Sequence, residues 1–262
     1  MKKYISIIIL TLFTFIYMNK VIELSDSNNT LLVAINDYSS NNSEECIEGS
    51  INSDGVTLGY PGKIVSVEDS YSNMKGTKFD ENLIEYKKDK CILNKEETID
   101  KYIISGNKHE KKMSIVIDID GSKYYDGFDT VANNENIALN YLINVNNNSV
   151  KSDNILIKTN SNNINDFKKK YNHFYCVKYN GYEVLDYCKK EHINSINIVH
   201  YINKNLLLNT KKMLENGVII FIHENSDNYK EFSTTVKYIK SRGYEIVSVD
   251  DLLGWKNNIK NI

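Results

Sequence analysis

The sequence predicts an α/β fold in which a parallel sheet or barrel is covered by helices. From Met113 onward short apolar runs alternate with amphipathic stretches, the pattern of strands joined through helical crossovers. Gly217 and Gly243 stand where two of the helices should stop. Asp118, Asp120 and His223 follow apolar runs, at the carboxyl ends of strands where such folds carry their sites.

In order, "MSIVIDI" reads as a strand, "TVANNENIALNYLI" as a helix and "NILIKT" as a strand. "NNINDFKKKY" is a helix, "HFYCVKY" a strand, and "GYEVLDYCKKEH" a helix with Val184, Leu185 and Cys188 on its apolar face. "INSINIVHYI" follows as one strand and "NKNLLLNTKKMLENG" as a helix. "VIIFIHE" is a buried strand, "YKEFSTTVKYIKSRG" an amphipathic helix, "YEIVSV" a strand and "DDLLGW" a last helical turn.

Upstream, residues 46–111 form an N-terminal extension. "GKIVSV", "ENLIEYKK" and "KYIISG" read as short strands there, and Ser66 caps a helix in "SVEDSYSNM". Residues 23–45 are Asn/Ser-rich and read as a polar tether. Residues 1–22 place two lysines before an apolar run from Tyr4 to Met18. A helix of that length spans ~22 Å, short of a ~30 Å hydrocarbon core. A cleaved signal peptide and a retained membrane anchor both fit. Either one implies an extracytoplasmic protein, secreted or membrane-anchored.

Composition narrows the function. Lys+Arg (32) nearly balance Asp+Glu (34), so no basic field for nucleic acid exists. Cys46, Cys91, Cys176 and Cys188 permit disulfides in an oxidising compartment, and small buried side chains are the other reading. There is a single arginine, Arg242, and only five histidines: His109, His173, His192, His200 and His223. Few metal or oxyanion sites can be assembled from that stock.

The C-terminal stretch "NGVIIFIHENSDNYKEFSTTVKYIKSRGYEIVSVDDLL" resembles the end of polysaccharide deacetylases of the nodulation-deacetylase type, carbohydrate esterase family 4. "GYEVLDYCKKEHINSINIV" resembles a central helix and strand of that family. "VEDSYSNMKGTKFDENLIEYKK" and "KYIISGNKHEKKMSIVIDIDG" resemble the leader and first strand of its sporulation-associated members. The resemblance implies a reduced, distorted parallel (β/α) barrel over residues 112–257. It also implies a metal-assisted hydrolysis in which an aspartate and two histidines hold a zinc-type ion. A second aspartate is the base and a late histidine the acid.

Mapped residue by residue, the resemblance puts Asp120 at the metal-aspartate position and His223 at that of the late histidine. Ile119 stands where the base belongs, and Asp118 projects to the other side of the strand from it. No two histidines lie four apart, so the metal pair is missing. The arginine that orients the base meets Tyr175. His200, near the end of a predicted strand, is a further candidate for the same rim, and a rebuilt site would pair His192 or His200 with Asp120. The segment from Gly121 to Tyr175 looks too short for its share of βαβ units, which implies an incomplete barrel. The implied function is a catalytically inactive, deacetylase-like envelope protein, without cofactor, binding cell-wall polysaccharide or a protein partner during sporulation. The alternative is a divergent carbohydrate N-deacetylase using zinc or another divalent metal on peptidoglycan or chitin-like glycan.

Overall fold

The computed structural model describes residues 2–87, 95–121, 123–144, 150, 152, 154–159, 163–179 and 183–255, without side chains for residues 2–10, 22–24 and 26–29. The chain forms two compact units, Met1–Cys46 with Pro61–Lys90, and Ile47–Tyr60 with Cys91–Ile262. These units cut across the linear zones read from the sequence.

In the first unit, helix α1 runs unbroken over Lys2–Asn42. The segment expected to be a tether is therefore helical as far as Asn42. Leu31 and Ile35 on its last turns are buried with Met74 of α2 (Val67–Met74) and with Val65 and Ile84. α2 begins at Ser66, whose hydroxyl accepts from the Asp69 N–H, and Glu68 and Asp69 favour the positive end of its dipole. Strands β3 (Ile64–Val65) and β4 (Tyr86–Lys87) pair antiparallel, and residues 81–83 form a 3-10 turn rather than part of a strand. No helix among the described residues is long and apolar enough to cross a membrane. Residues 11–21 of α1 nonetheless expose Leu12, Phe13, Phe15 and Ile16.

The second unit is built on a curled, half-barrel sheet. Its strands are β1 (Ser50–Ile51), β2 (Val56–Thr57), β5 (Tyr102–Ser105), β6 (Lys112–Asp118), β7 (Leu139–Ile143), β8 (Ile155–Ile157), β9 (Tyr175–Lys178), β10 (Ser195–Asn197), β11 (His200–Ile202), β12 (Ile219–His223) and β13 (Glu245–Ile246). Across the sheet the order is β1-β2-β5-β10-β9-β8-β7-β6-β12-β11, with β13 against the start of β6. All pairings are parallel except β1 with β2. The first strand of the barrel portion, β6, lies beside the late strands β12 and β13, as the sequence predicted. The sheet stays open between β11 and β1.

Both faces of this sheet are covered, so β6, β7 and β12 are nearly continuous apolar runs. One face packs Ile115, Ile117 and Ile220 against Phe128 of α3 (Tyr125–Glu135) and Phe232 of α7 (Ser226–Ser241). The other holds Val116, Leu142, Val177 and Phe221 with Leu252 of the short α8 (Val249–Leu252). Helices α4 (Ile164–Lys170), α5 (Leu185–Lys190) and α6 (Leu206–Met213) complete the set. Cys176 and Cys188 form a disulfide between β9 and α5, and Cys46 is also disulfide-bonded. Cys91 lies outside the described residues.

Two further expectations, both in this unit, need correction. The stretch "TVANNENIALNYLI" is not one helix. α3 ends at Asn136, in the left-handed region at φ 50°, and Leu139–Ile143 become β7. Because β7 is buried on both faces, its apolar run carries no alternation to distinguish it from a helix. It pairs with both β6 and β8, so the sheet has no missing strand at that point. "INSINIVHYI" in turn is two strands, β10 inside the sheet and β11 at its far edge beside β12.

Candidate functional site

The carboxyl ends of β6, β8, β11 and β12 converge on one rim. Asp118 closes β6, and Asp120 stands two residues on, on the same side of the extended chain. Ile119 between them is fully buried and anchors the backbone through its N–H to the Leu142 carbonyl at 3.0 Å. Asp118 is 0% exposed. Its Oδ2 accepts from the Tyr201 hydroxyl at 2.7 Å, and its Oδ1 meets the ammonium of Lys158 in an ion pair without regular hydrogen-bond angles.

Lys158 directly follows β8 and is held there by its N–H on the Ile143 carbonyl at 2.8 Å. Its side chain is only 11% exposed. The same ammonium lies 3.2 Å from Asp120 Oδ1 and 4.5 Å from the centre of the Tyr179 ring. Burial alone would lower its pKa, but the Asp118 carboxylate, followed by Asp120, more than offsets this and raises it above an ordinary lysine. Burial and the bond to Asp118 likewise raise the Tyr201 phenol, which stays protonated as a donor.

His223 ends β12 in register with Asp118. Its Nδ1 is 3.2 Å from the Tyr201 hydroxyl and 3.6 Å from Asp120 Oδ2. Glu224 follows, and its carboxylate accepts from the N–H groups of Tyr124 at 2.6 Å and Gly121 at 3.3 Å. This carboxylate ties the turn after β6 to the end of β12. Lys158 thus sits within a group of two aspartates, two tyrosines and a histidine, with its positive charge against both carboxylates.

No family model and no curated relative matches the sequence. Solved structures do match. Wild-type BA3943 from Bacillus anthracis, described as a CE4 family pseudoenzyme, aligns with TM-score 0.63 at 16% identity, over 86% of this chain and 95% of that one. A BA3943 mutant described as having restored enzymatic activity gives 0.61 at 17% identity, over 86% and 98%. PdaA of Bacillus subtilis, a family 4 carbohydrate esterase, gives 0.51 at 16% identity, over 62% and 88%. The fold is that of the family 4 carbohydrate esterases.

Within this carbohydrate esterase fold, three of the four candidates share the rim: Asp118, Asp120 and His223. His200 does not. It begins β11 rather than ending a strand, pairs with Ile220 near the start of β12, and has Glu215 and Lys108 as its charged neighbours. His192 lies after α5 in the left-handed region at φ 56°, away from the rim. Tyr175, matched to the family's arginine, donates to Asp250 at the amino end of β9 and approaches neither Asp118 nor Asp120. Arg242 bonds the Tyr238 hydroxyl on α7.

Lys158, Tyr201 and Glu224 were not singled out from the sequence. The signal for Lys158 is its place directly after the apolar run "ILI", where a strand's carboxyl end meets the rim. Among the described residues no group of three or more His, Cys, Asp or Glu could hold a metal ion. The donor set does not fit a zinc-type ion, because a fixed ammonium is already drawn against both carboxylates and only one imidazole is near.

Proposed function

We propose that this chain is a catalytically silent, deacetylase-like protein of the cell envelope that binds cell-wall glycan or a partner instead of hydrolysing amides. The observation that carries the reading is the ammonium of Lys158 between Asp118 and Asp120. Amide hydrolysis of this kind needs a Lewis acid on the carbonyl oxygen and a carboxylate base with a free lone pair. Lys158 supplies charge but has no open coordination position for substrate oxygen or water. Asp118 is fully buried with both oxygens engaged, so it is a poor base. The pseudoenzyme description of the similarly folded BA3943 supports the same reading by analogy.

The Cys176–Cys188 disulfide supports an oxidising, extracytoplasmic address. A role in sporulation rests on the sequence resemblance alone. The test is acetate release from acetylated chito-oligosaccharides and peptidoglycan with zinc, cobalt or manganese supplied. No release is expected. Metal-dependent turnover abolished by Asp120→Ala or His223→Ala would establish the divergent N-deacetylase instead.

A further inference from the structure

A second concavity lies away from this rim, at the amino ends of β9 and β10. It is a cavity of about 370 Å³, within the ~300–1,000 Å³ range usual for small-ligand sites. The end of α4, the segment leading into β9, and residues 191–194 before β10 form its wall. Two residues of that wall, Asn194 and Tyr171, carry a polar atom (Oδ1 and the hydroxyl) that is buried and has no hydrogen-bond partner among the described residues.

The orientation of the Asn194 amide is fixed by chemistry. Its Nδ2 donates to the Lys95 carbonyl at 2.9 Å and to Thr98 Oγ1 at 3.0 Å. The Thr98 hydroxyl spends its own proton on the same Lys95 carbonyl. A flipped amide would set oxygen against oxygen. Asn194, 1% exposed, therefore holds its Oδ1 as an acceptor that lacks a donor, a costly arrangement for a buried group. Charge in the wall is largely cancelled in place. Lys168 pairs with Glu191 at 2.6 Å, and His173 with Asp250 at 2.9 Å.

We propose that this cavity binds a neutral, hydroxyl-rich ligand of monosaccharide size. A sugar hydroxyl can donate to Asn194 Oδ1 while a neighbouring hydroxyl exchanges a hydrogen bond with Tyr171. A carboxylate, phosphate or sulfate has no proton to give Asn194 and meets no uncancelled cluster of positive charge. The site is independent of the Asp118 rim and does not rest on the reading of that rim.

The test is ligand-observed NMR and calorimetry on the full chain with glucose and N-acetylglucosamine, with sulfate as the ionic control. Millimolar binding of at least one sugar is expected, and none of sulfate. Tyr171→Phe removes one hydroxyl and keeps the ring. It should weaken sugar binding about five- to tenfold, the worth of one hydrogen bond, while leaving the thermal midpoint unchanged or raised. Failure of both sugars to bind overturns the proposal. Sugar affinity unaffected by Tyr171→Phe, or sulfate binding as tight as sugar, overturns it equally.

Discussion

Lys158 and Asp118 form a buried ion pair at the carboxyl end of the central strand, the carboxylate fully enclosed and the ammonium nearly so. Removing one member of such a pair leaves a charge in a medium that solvates it poorly, at a cost of about 3–5 kcal/mol. Lys158→Met is therefore expected to lower unfolding stability by that amount in urea titrations. The double change Lys158→Met/Asp118→Asn should recover much of it, because Asn keeps an acceptor for Tyr201 and carries no charge. A single variant as stable as wild type would show that the pair does not hold the rim together.

Alkaline pH should destabilise the protein, and the direction follows from the groups involved. Burial raises the Tyr102 phenol to about 12, with the Val184 N–H opposing and Glu183 reinforcing the shift. Its stabilising contribution is complete below pH ~10 and is lost between pH ~10 and about 12. Tyr141, Tyr175 and Tyr201 are shifted upward too, chiefly by burial. Lys158, raised by its carboxylates, contributes fully below pH ~10.5 and less as pH climbs through its folded value. Thermal midpoints measured from pH 8 to 12 should fall from about pH 10 upward, and Tyr102→Phe should flatten the slope. An unchanged slope in that variant would contradict the assignment to Tyr102.

The Cys176–Cys188 bridge closes a loop with a sequence separation of 12. Loop-closure entropy for a ring of that size is worth about 3 kcal/mol. Cys176→Ala/Cys188→Ala should lose at least that much stability in denaturant titrations. A loss below ~1 kcal/mol would mean that the unbridged chain is already restrained there.

Gly217 sits at φ +79° in the turn before β12. A Cβ there would stand 2.5 Å from the Asn107 carbonyl oxygen and 2.6 Å from that of Gly106. Both are backbone atoms, in the segment that Gly217 itself accepts from through its carbonyl, at 2.9 Å from the Gly106 N–H. Gly217→Ala should cost about 2 kcal/mol or more, combining left-handed strain with collision. A variant within 0.5 kcal/mol of wild type, on the scale of an ordinary surface change, would refute this.

Much of the fold was legible because apolar runs and the glycine stop at Gly243 report local structure directly. By contrast, α6 already ends at Met213, and Gly217 serves the turn before β12 instead. β6, β8, β9, β12 and α7 fall where their patterns place them. β7 was hidden because a strand buried on both faces has no alternation, and the division between β10 and β11 was hidden because Ile198–Val199 continue the apolar run through the break. At the rim, Asp118, Asp120 and His223 were visible as polar ends of apolar strands. Lys158 and Tyr201 were not, since one lysine and one tyrosine carry little signal in a chain rich in both. Their meaning comes from contacts with Asp118 and Asp120 across the sheet, and those contacts join residues 38 to 83 positions apart.

The short hairpin of β1 and β2 belongs by packing to a unit whose remaining residues begin at position 91. Residues 61–90 are therefore an excursion within a sheet-forming sequence, and the large unit is discontinuous along the chain. A protein trimmed to start at residue 61 or 91 would lose β2, the neighbour of β5. The four-residue β5 would then carry an open row of N–H and C=O groups, a template for another chain's strand. Two-residue β1 normally caps this side of the sheet with too little edge to recruit anything. The shortest self-protecting version of the large unit must begin no later than Ile47, and so must carry the 61–90 excursion with it.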